Sequence, residues 1–211
     1  KALDDLGMAD NTLVVVVGDH AESLGQHNEP THAFLAYQAT LHVPMIMHCG
    51  TRLGDGKHIA RRVTQVDIVP TILSLLGYEP PADTDGLDLT KTIPSPRTIY
   101  AETLHGTLVF GWAALLVVFE GNQKYIHGPK PGLYDLTKDP NELNNLYAGT
   151  PDSVAFYLEK LRALFGDDLG VSSVEAPTQT LTADELNRLG ALGYLAAPAK
   201  LPSPEARPDP E

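Results

Sequence analysis

The sequence has 211 residues, with 15 Lys and Arg against 27 Asp and Glu, giving a formal charge of −12 at pH 7. It is 43% hydrophobic and 20% charged, with one cysteine, 18 glycines and 17 prolines. The length is enough to bury a real core, and the acidic balance argues against gripping nucleic acid, where Lys and Arg must release phosphate counterions. A single cysteine, Cys49, excludes an internal disulfide framework and a cysteine-built zinc centre. No stretch approaches the ~18 consecutive apolar residues of a membrane-spanning helix.

The first residues, Lys1 to Leu6, read as the last turns of a helix, with Leu3 and Leu6 on one face and Gly7 as its stop. Thr12 to Val17 is an unbroken β-branched run between Asp10-Asn11 and Gly18-Asp19. Without polar alternation it predicts a strand buried on both faces, as in a helix-covered parallel sheet. Residues 18 to 42 are polar and rich in His and Gly, which suits a functional loop. Val43 to Met47 predicts a second strand, with Pro44 at its start, where a missing N–H is tolerated.

Asp67 to Gly77 predicts a helix, with Asp67 as N-cap, Pro70 in the first turn, and Val69, Ile72, Leu73 and Leu76 at helical spacing. Residues 78 to 97 are rich in Pro, Asp and Thr and predict a surface connector. From residue 98 the character changes: Thr98–Leu104, Ala113–Phe119 and Gln123–His127 predict a small antiparallel sheet, with Glu120-Gly121-Asn122 as a hairpin turn. Thr150-Pro151 opens a helix with Val154, Leu158, Leu161 and Phe165 on one face, ending at Gly166. A second helix is predicted from the Thr182–Glu185 capping box to Gly193, and residues 196 to 211, proline-rich with little to bury, predict disorder.

The chemistry gathers just past the first strand. Asp19 and His20 follow it directly, where ligands bind in open α/β sheets. A carboxylate oxygen beside an imidazole nitrogen suits a mixed-donor zinc or manganese site, or an oxygen-dominated calcium site with one unusual ligand. The alternative is that Asp19 caps the next turn and His20 is incidental. His27 and His32 stand in the same loop, and three histidines within thirteen residues shift the weight toward a site able to ligate metal, bind an anionic ester or protonate a leaving group. Cys49 lacks the surroundings of a catalytic cysteine and reads as a small apolar residue. There is no phosphate-binding Gly-rich loop and no Gly-x-Ser-x-Gly elbow.

The block from Asp10 through Thr12-Leu-Val-Val-Val-Val-Gly-Asp-His-Ala-Glu to His27 resembles the sulfatase family of the alkaline phosphatase superfamily. The resemblance continues through Thr31-His-Ala-Phe-Leu-Ala-Tyr37, Leu41-His-Val-Pro44, and Val66 to Gly77. Beyond these it takes in Lys124-Tyr-Ile, Leu133 to Leu146, and Leu189-Gly-Ala-Leu-Gly-Tyr194. It implies part of an alkaline-phosphatase-like α/β mixed sheet sandwiched by helices, followed by a small antiparallel sheet with helices. The implied boundaries are 1–97 for the catalytic part, 98–195 for a C-terminal α+β subdomain and 196–211 for a tail.

Carried over residue by residue, the resemblance makes Asp19 and His20 ligands of one divalent metal, calcium first, with manganese or zinc as alternatives. It makes His32 the group that contacts the ester and helps the leaving group depart. It places His27 against substrate or behind a ligand. Glu102 and Trp112 either line the substrate pocket or pack. Ala21 and Ala33 stand where the family usually has Gly. The family's Asp-Asp ligand pair and Cys-x-Pro-x-Arg nucleophile motif, whose Cys becomes formylglycine, do not occur here, so the expectation is the C-terminal portion of a sulfuric ester hydrolase. Its implied substrate is a small-molecule or glycan sulfate ester, and the resemblance favours a periplasmic or extracellular setting. Two rivals stay open: a phosphodiester or phosphonate hydrolase or phosphoethanolamine-type transferase of the same superfamily, and a non-catalytic domain.

Overall fold

The computed structural model describes residues 1–50, 52–54, 56–167, 169 and 184. Its elements, in chain order, are α1 (Ala2–Asp5), β1 (Val14–Val17), α2 (Gln38–Leu41), β2 (Met45–His48), α3 (Ile68–Leu76), β3 (Thr98–Thr103), α4 (His105–Phe110), β4 (Leu115–Glu120), β5 (Gln123–His127), β6 (Gly132–Asp135) and α5 (Pro151–Phe165). The chain divides into two compact units, residues 1–21 with 42–99, and residues 22–41 with 100–211. The predicted helix at 182–193 and the tail at 196–211 fall outside the described residues.

In the first unit, β1 pairs antiparallel with β2, Val14 opposite His48 and Val17 opposite Met45. This corrects the expectation of a doubly buried strand: Val16 is 54% exposed and Ile46, its partner across the ladder, is 61% exposed. A β-branched run establishes strand preference, but burial depends on what packs against each face. α3 forms as its pattern predicts and ends at Gly77, whose left-handed φ of 84° closes the last turn.

Asp67 does not cap α3. Its fully buried carboxylate turns away, accepting the N–H of Thr64 at 2.9 Å and of Leu87 at 2.8 Å. Both Arg97 guanidinium nitrogens donate to it, at 2.7 and 2.6 Å. Burial disfavours the ionised carboxyl, but Arg97 and the two backbone donors outweigh it and hold Asp67 below the usual carboxylate range. The connector at 78–97 is therefore strapped down: Leu87 and Arg97 end on Asp67, and Leu89 N–H donates to Thr71 Oγ1 at 2.9 Å. Gly86 is obligatory here, because a Cβ would stand 2.0 Å from the Val66 carbonyl oxygen.

The second unit is built on a four-stranded sheet in the order β3-β4-β5-β6, in which β4, β5 and β6 form an antiparallel meander. β3 begins in the first unit and continues in the second. Glu120 pairs with Gln123 across the Gly121-Asn122 turn, as the turn residues predict, and Gly121 takes the φ of +57° it needs. β6 and α4 carry too short a pattern to be anticipated. Leu116, Val118, Tyr125 and Leu133 share one face of the meander and pack on Val154, Tyr157 and Leu161 of α5. The Thr150 hydroxyl donates to the Leu146 carbonyl at 3.1 Å instead of capping α5. The opposite face, with Val117, Phe119, Lys124, Ile126 and Tyr134, is buried as well. The doubly buried strand expected at Thr12–Val17 is thus found at β4.

Candidate functional site

The first unit presents Asp19 and His20 on the turn that leaves β1. Gly18 N–H donates to the Pro44 carbonyl at 3.2 Å, and a Cβ at Gly18 would meet Val43 Cβ and the His20 carbonyl oxygen at 3.2 Å. The Gln65 carboxamide crosses to the same turn, its Nε2 donating to the Gly18 carbonyl at 2.6 Å and to the Asp19 carbonyl at 2.9 Å. The Asp19 carboxylate is 91% exposed and its Oδ2 lies 4.0 Å from His20 Nε2.

These two groups fit a divalent cation. A carbonyl oxygen can only accept, so the 3.0 Å contact between His20 Nδ1 and the Ala21 carbonyl puts the ring proton on Nδ1. In the neutral ring that leaves the lone pair on Nε2, 4.0 Å from Asp19 Oδ2, as a metal ligand requires. Among its described bonds, Asp19 Oδ1 accepts the adjacent His20 N–H at 3.0 Å. Among the described residues, no group of three or more His, Cys, Asp or Glu side chains converges as a metal site.

The second unit carries the other loop residues. Between Ser23 and Ala33 the backbone is held in a tight coil, with Ser23 N–H on the Thr31 carbonyl at 2.9 Å and Gly25 N–H on the Glu29 carbonyl at 2.9 Å. Leu24, His27, Asn28 and Ala33 all adopt positive φ, from 52° to 83°. Such angles cost L-residues energy and concentrate at functional loops. Ala33, at 83°, takes a conformation that favours the Gly usual in the family, whereas Ala21 is not among the positive-φ residues.

His32 gains a partner that sequence reasoning did not single out. Its Nδ1 lies 3.1 Å from Glu22 Oε2, both side chains partly exposed. The carboxylate accepts from Nδ1–H and orients the ring, leaving Nε2 as its other nitrogen. The signal for Glu22 was present in the Asp19-His-Ala-Glu22 motif, but nothing in spacing said that the loop would fold back ten residues later.

His27 is tied down rather than presented. Its ring stacks on Tyr37, centroids 3.6 Å apart and planes 6° from parallel, and Nε2 meets the Asn141 carbonyl at 2.9 Å. Other ties anchor the same loop. Gln38 N–H donates to Glu142 Oε2 at 2.5 Å, and the Thr103 hydroxyl donates to the Ala33 carbonyl. Glu142 forms a 2.6 Å ion pair with Lys124 on the sheet face, both side chains essentially buried. Glu29, also buried, accepts the N–H of Phe34 at 2.9 Å, and burial pushes its carboxyl above the usual range despite that bond.

A cleft of about 490 Å³ opens beside these residues, lined by His27, Asn28, Glu29, Phe34, Tyr37 and Trp112, among others. Trp112 packs 5.6 Å from Phe34 and 5.0 Å from Phe110, ring centroid to centroid, so it both packs and lines the cleft. Glu102, on β3, is exposed and outside that lining.

The strand-end turn and the segregated antiparallel sheet define a chain of the alkaline-phosphatase-like fold. The sulfatase family model matches residues 1–78. Arylsulfatase K of Xenopus laevis is 28% identical over 182 residues, 78% of this chain and 33% of that protein. A Delta 4,5-hexuronate-2-O-sulfatase of Bacteroides thetaiotaomicron is 27% identical over 207 residues, 92% of this chain and 42% of that protein. The solved phosphonate monoester hydrolase of Agrobacterium radiobacter superposes with a TM-score of 0.60 at 26% identity, covering 87% of this chain and 40% of that one. The chain thus spans about a third of the length of the first curated relatives it matches.

Proposed function

We propose that the protein carrying this chain is a metal-dependent sulfuric ester hydrolase acting on small-molecule or glycan sulfates. The observation that carries this reading is the Glu22–His32 pair, 3.1 Å apart in the loop that follows the Asp19-His20 turn in sequence. Asp19 Oδ2 and His20 Nε2 would hold the divalent ion, calcium being the first choice that the resemblance implies, with manganese or zinc as alternatives. When bound, that ion supplies Lewis-acid polarisation of the ester oxygens. The remaining work falls to side chains. Attack at sulfur breaks the bond between sulfur and the leaving oxygen, and that oxygen takes the proton from His32. Glu22 keeps His32 oriented, with Nε2 left to give the proton up. The nucleophile implied by the resemblance, a formylglycine, is not encoded in these 211 residues, whose one cysteine is Cys49.

The likeness to a phosphonate monoester hydrolase supports a second reading with the same residues and a phosphorus centre. Assay of the intact protein on paired aryl sulfate and aryl phosphonate substrates tests both readings. The sulfate should turn over with at least about tenfold higher kcat/KM, and chelation should abolish that activity. A preference for the phosphonate would replace the first reading with the second.

A further inference from the structure

We infer that Gln65 is a positioning residue for the metal-ligating turn, an inference that rests on the reading of Asp19 and His20 as ligands. Its carboxamide has two N–H bonds on one nitrogen, and that nitrogen reaches two successive carbonyls, Gly18 at 2.6 Å and Asp19 at 2.9 Å. Both partners accept only, so the amide nitrogen must face them. Fixing two consecutive carbonyl oxygens fixes the peptide planes on either side of the Asp19 Cα, and with them the direction in which the Asp19 side chain leaves the backbone. The His20 N–H, on the second of these planes, donates to Asp19 Oδ1 at 3.0 Å, which turns the carboxylate so that Oδ2 faces the His20 ring.

Gln65 is itself held. It opens a short 3-10 turn, Gln65–Asp67, closed by a reciprocal capping box in which Thr64 N–H donates to Asp67 Oδ2 at 2.9 Å. Asp67 is pinned in turn by Arg97 at 2.7 and 2.6 Å. A chain of short polar contacts thus runs from a buried ion pair through one 3-10 turn to an exposed carboxamide, and ends on the backbone of the ligand pair. The exposure of Gln65 argues for this role over a packing one. A side chain on the surface adds little to the core, whereas a metal ligand held by outer contacts binds 10- to 100-fold more tightly, as an order of magnitude, than one left to rotate.

The test uses the intact protein and Mn²⁺ alone, with free ion followed by electron paramagnetic resonance and stability by thermal melting in the absence of metal. Gln65→Met keeps the length and removes both donors, and Gln65→Leu checks that the result does not depend on the replacement. The expected result is Mn²⁺ affinity about tenfold weaker in both variants, with melting temperature unchanged. Wild-type affinity in Gln65→Met overturns the positioning role, as does an affinity loss matched by a fall in melting temperature, which would make Gln65 a structural residue. Asp19→Asn separates the two levels. If it binds Mn²⁺ as wild type does, the ligand reading itself fails; if it loses binding while Gln65→Met does not, only the positioning role fails.

Discussion

At Ala33, an alanine holds a φ of 83° in the loop that carries His32. A left-handed L-residue costs roughly 1–2 kcal/mol, and its carbonyl is committed to the Thr103 hydroxyl, so the backbone cannot relax without losing that bond. Ala33→Gly should therefore stabilise the protein by about 0.5–1 kcal/mol even after the extra unfolded-state freedom of glycine is counted. Urea unfolding of the two proteins measures it; an unchanged or lower midpoint would mean that the strain is relieved elsewhere in the loop. The sequence exposed this residue because a Gly is usual there, but the same comparison at Ala21 pointed to strain that the structure does not contain. Substitution for Gly signals strain only where the backbone turns left-handed, and φ cannot be read from composition.

Among the elements, the meander owes much of its specificity to one ion pair. Lys124 and Glu142 are 2.6 Å apart with side chains 0% and 1% exposed, and Lys124 Nζ lies 5.4 Å from the centroid of the Phe119 ring and 5.7 Å from that of Tyr37. Glu142 also accepts the Gln38 N–H, so the pair joins the sheet to the end of the loop. Removing one partner strands the other charge in the interior, which costs about 3–5 kcal/mol, whereas removing both is far cheaper. Lys124→Met alone should thus destabilise strongly, and Lys124→Met with Glu142→Gln should recover most of the loss, the glutamine still accepting from Gln38. Additive effects in that double-mutant cycle would show that the two groups act independently. Periodicity located β3, β4, β5, α3 and α5, because apolar spacing and turn residues are local signals. It missed β6 and α4, which are four and six residues long, and it could not place Lys124 inside, since that depends on a glutamate eighteen residues away.

For the molecule as a whole, motif order pointed to the sulfatase family, whose model matches residues 1–78. In the candidate site, Asp19 and His20 stand side by side on the turn after β1, and His32 Nδ1 lies 3.1 Å from the Glu22 carboxylate. What was not legible were the ties, from Gln65 to the ligand turn and from Asn141, Glu142 and Thr103 to the histidine loop. Each joins residues separated by 46 or more positions, and long-range pairing leaves no periodic trace in one sequence.

The most direct measurement is the dependence of kcat/KM on leaving-group pKa for the intact protein and for His32→Ala, across sulfate esters from activated aryl to alkyl. A proton donor matters only when the departing oxygen is strongly basic. The variant should lose about 100- to 10,000-fold on an alkyl sulfate and less than about tenfold on a nitrophenyl sulfate. Equal losses at both ends of the series would contradict the leaving-group role of His32 and the Glu22–His32 mechanism with it.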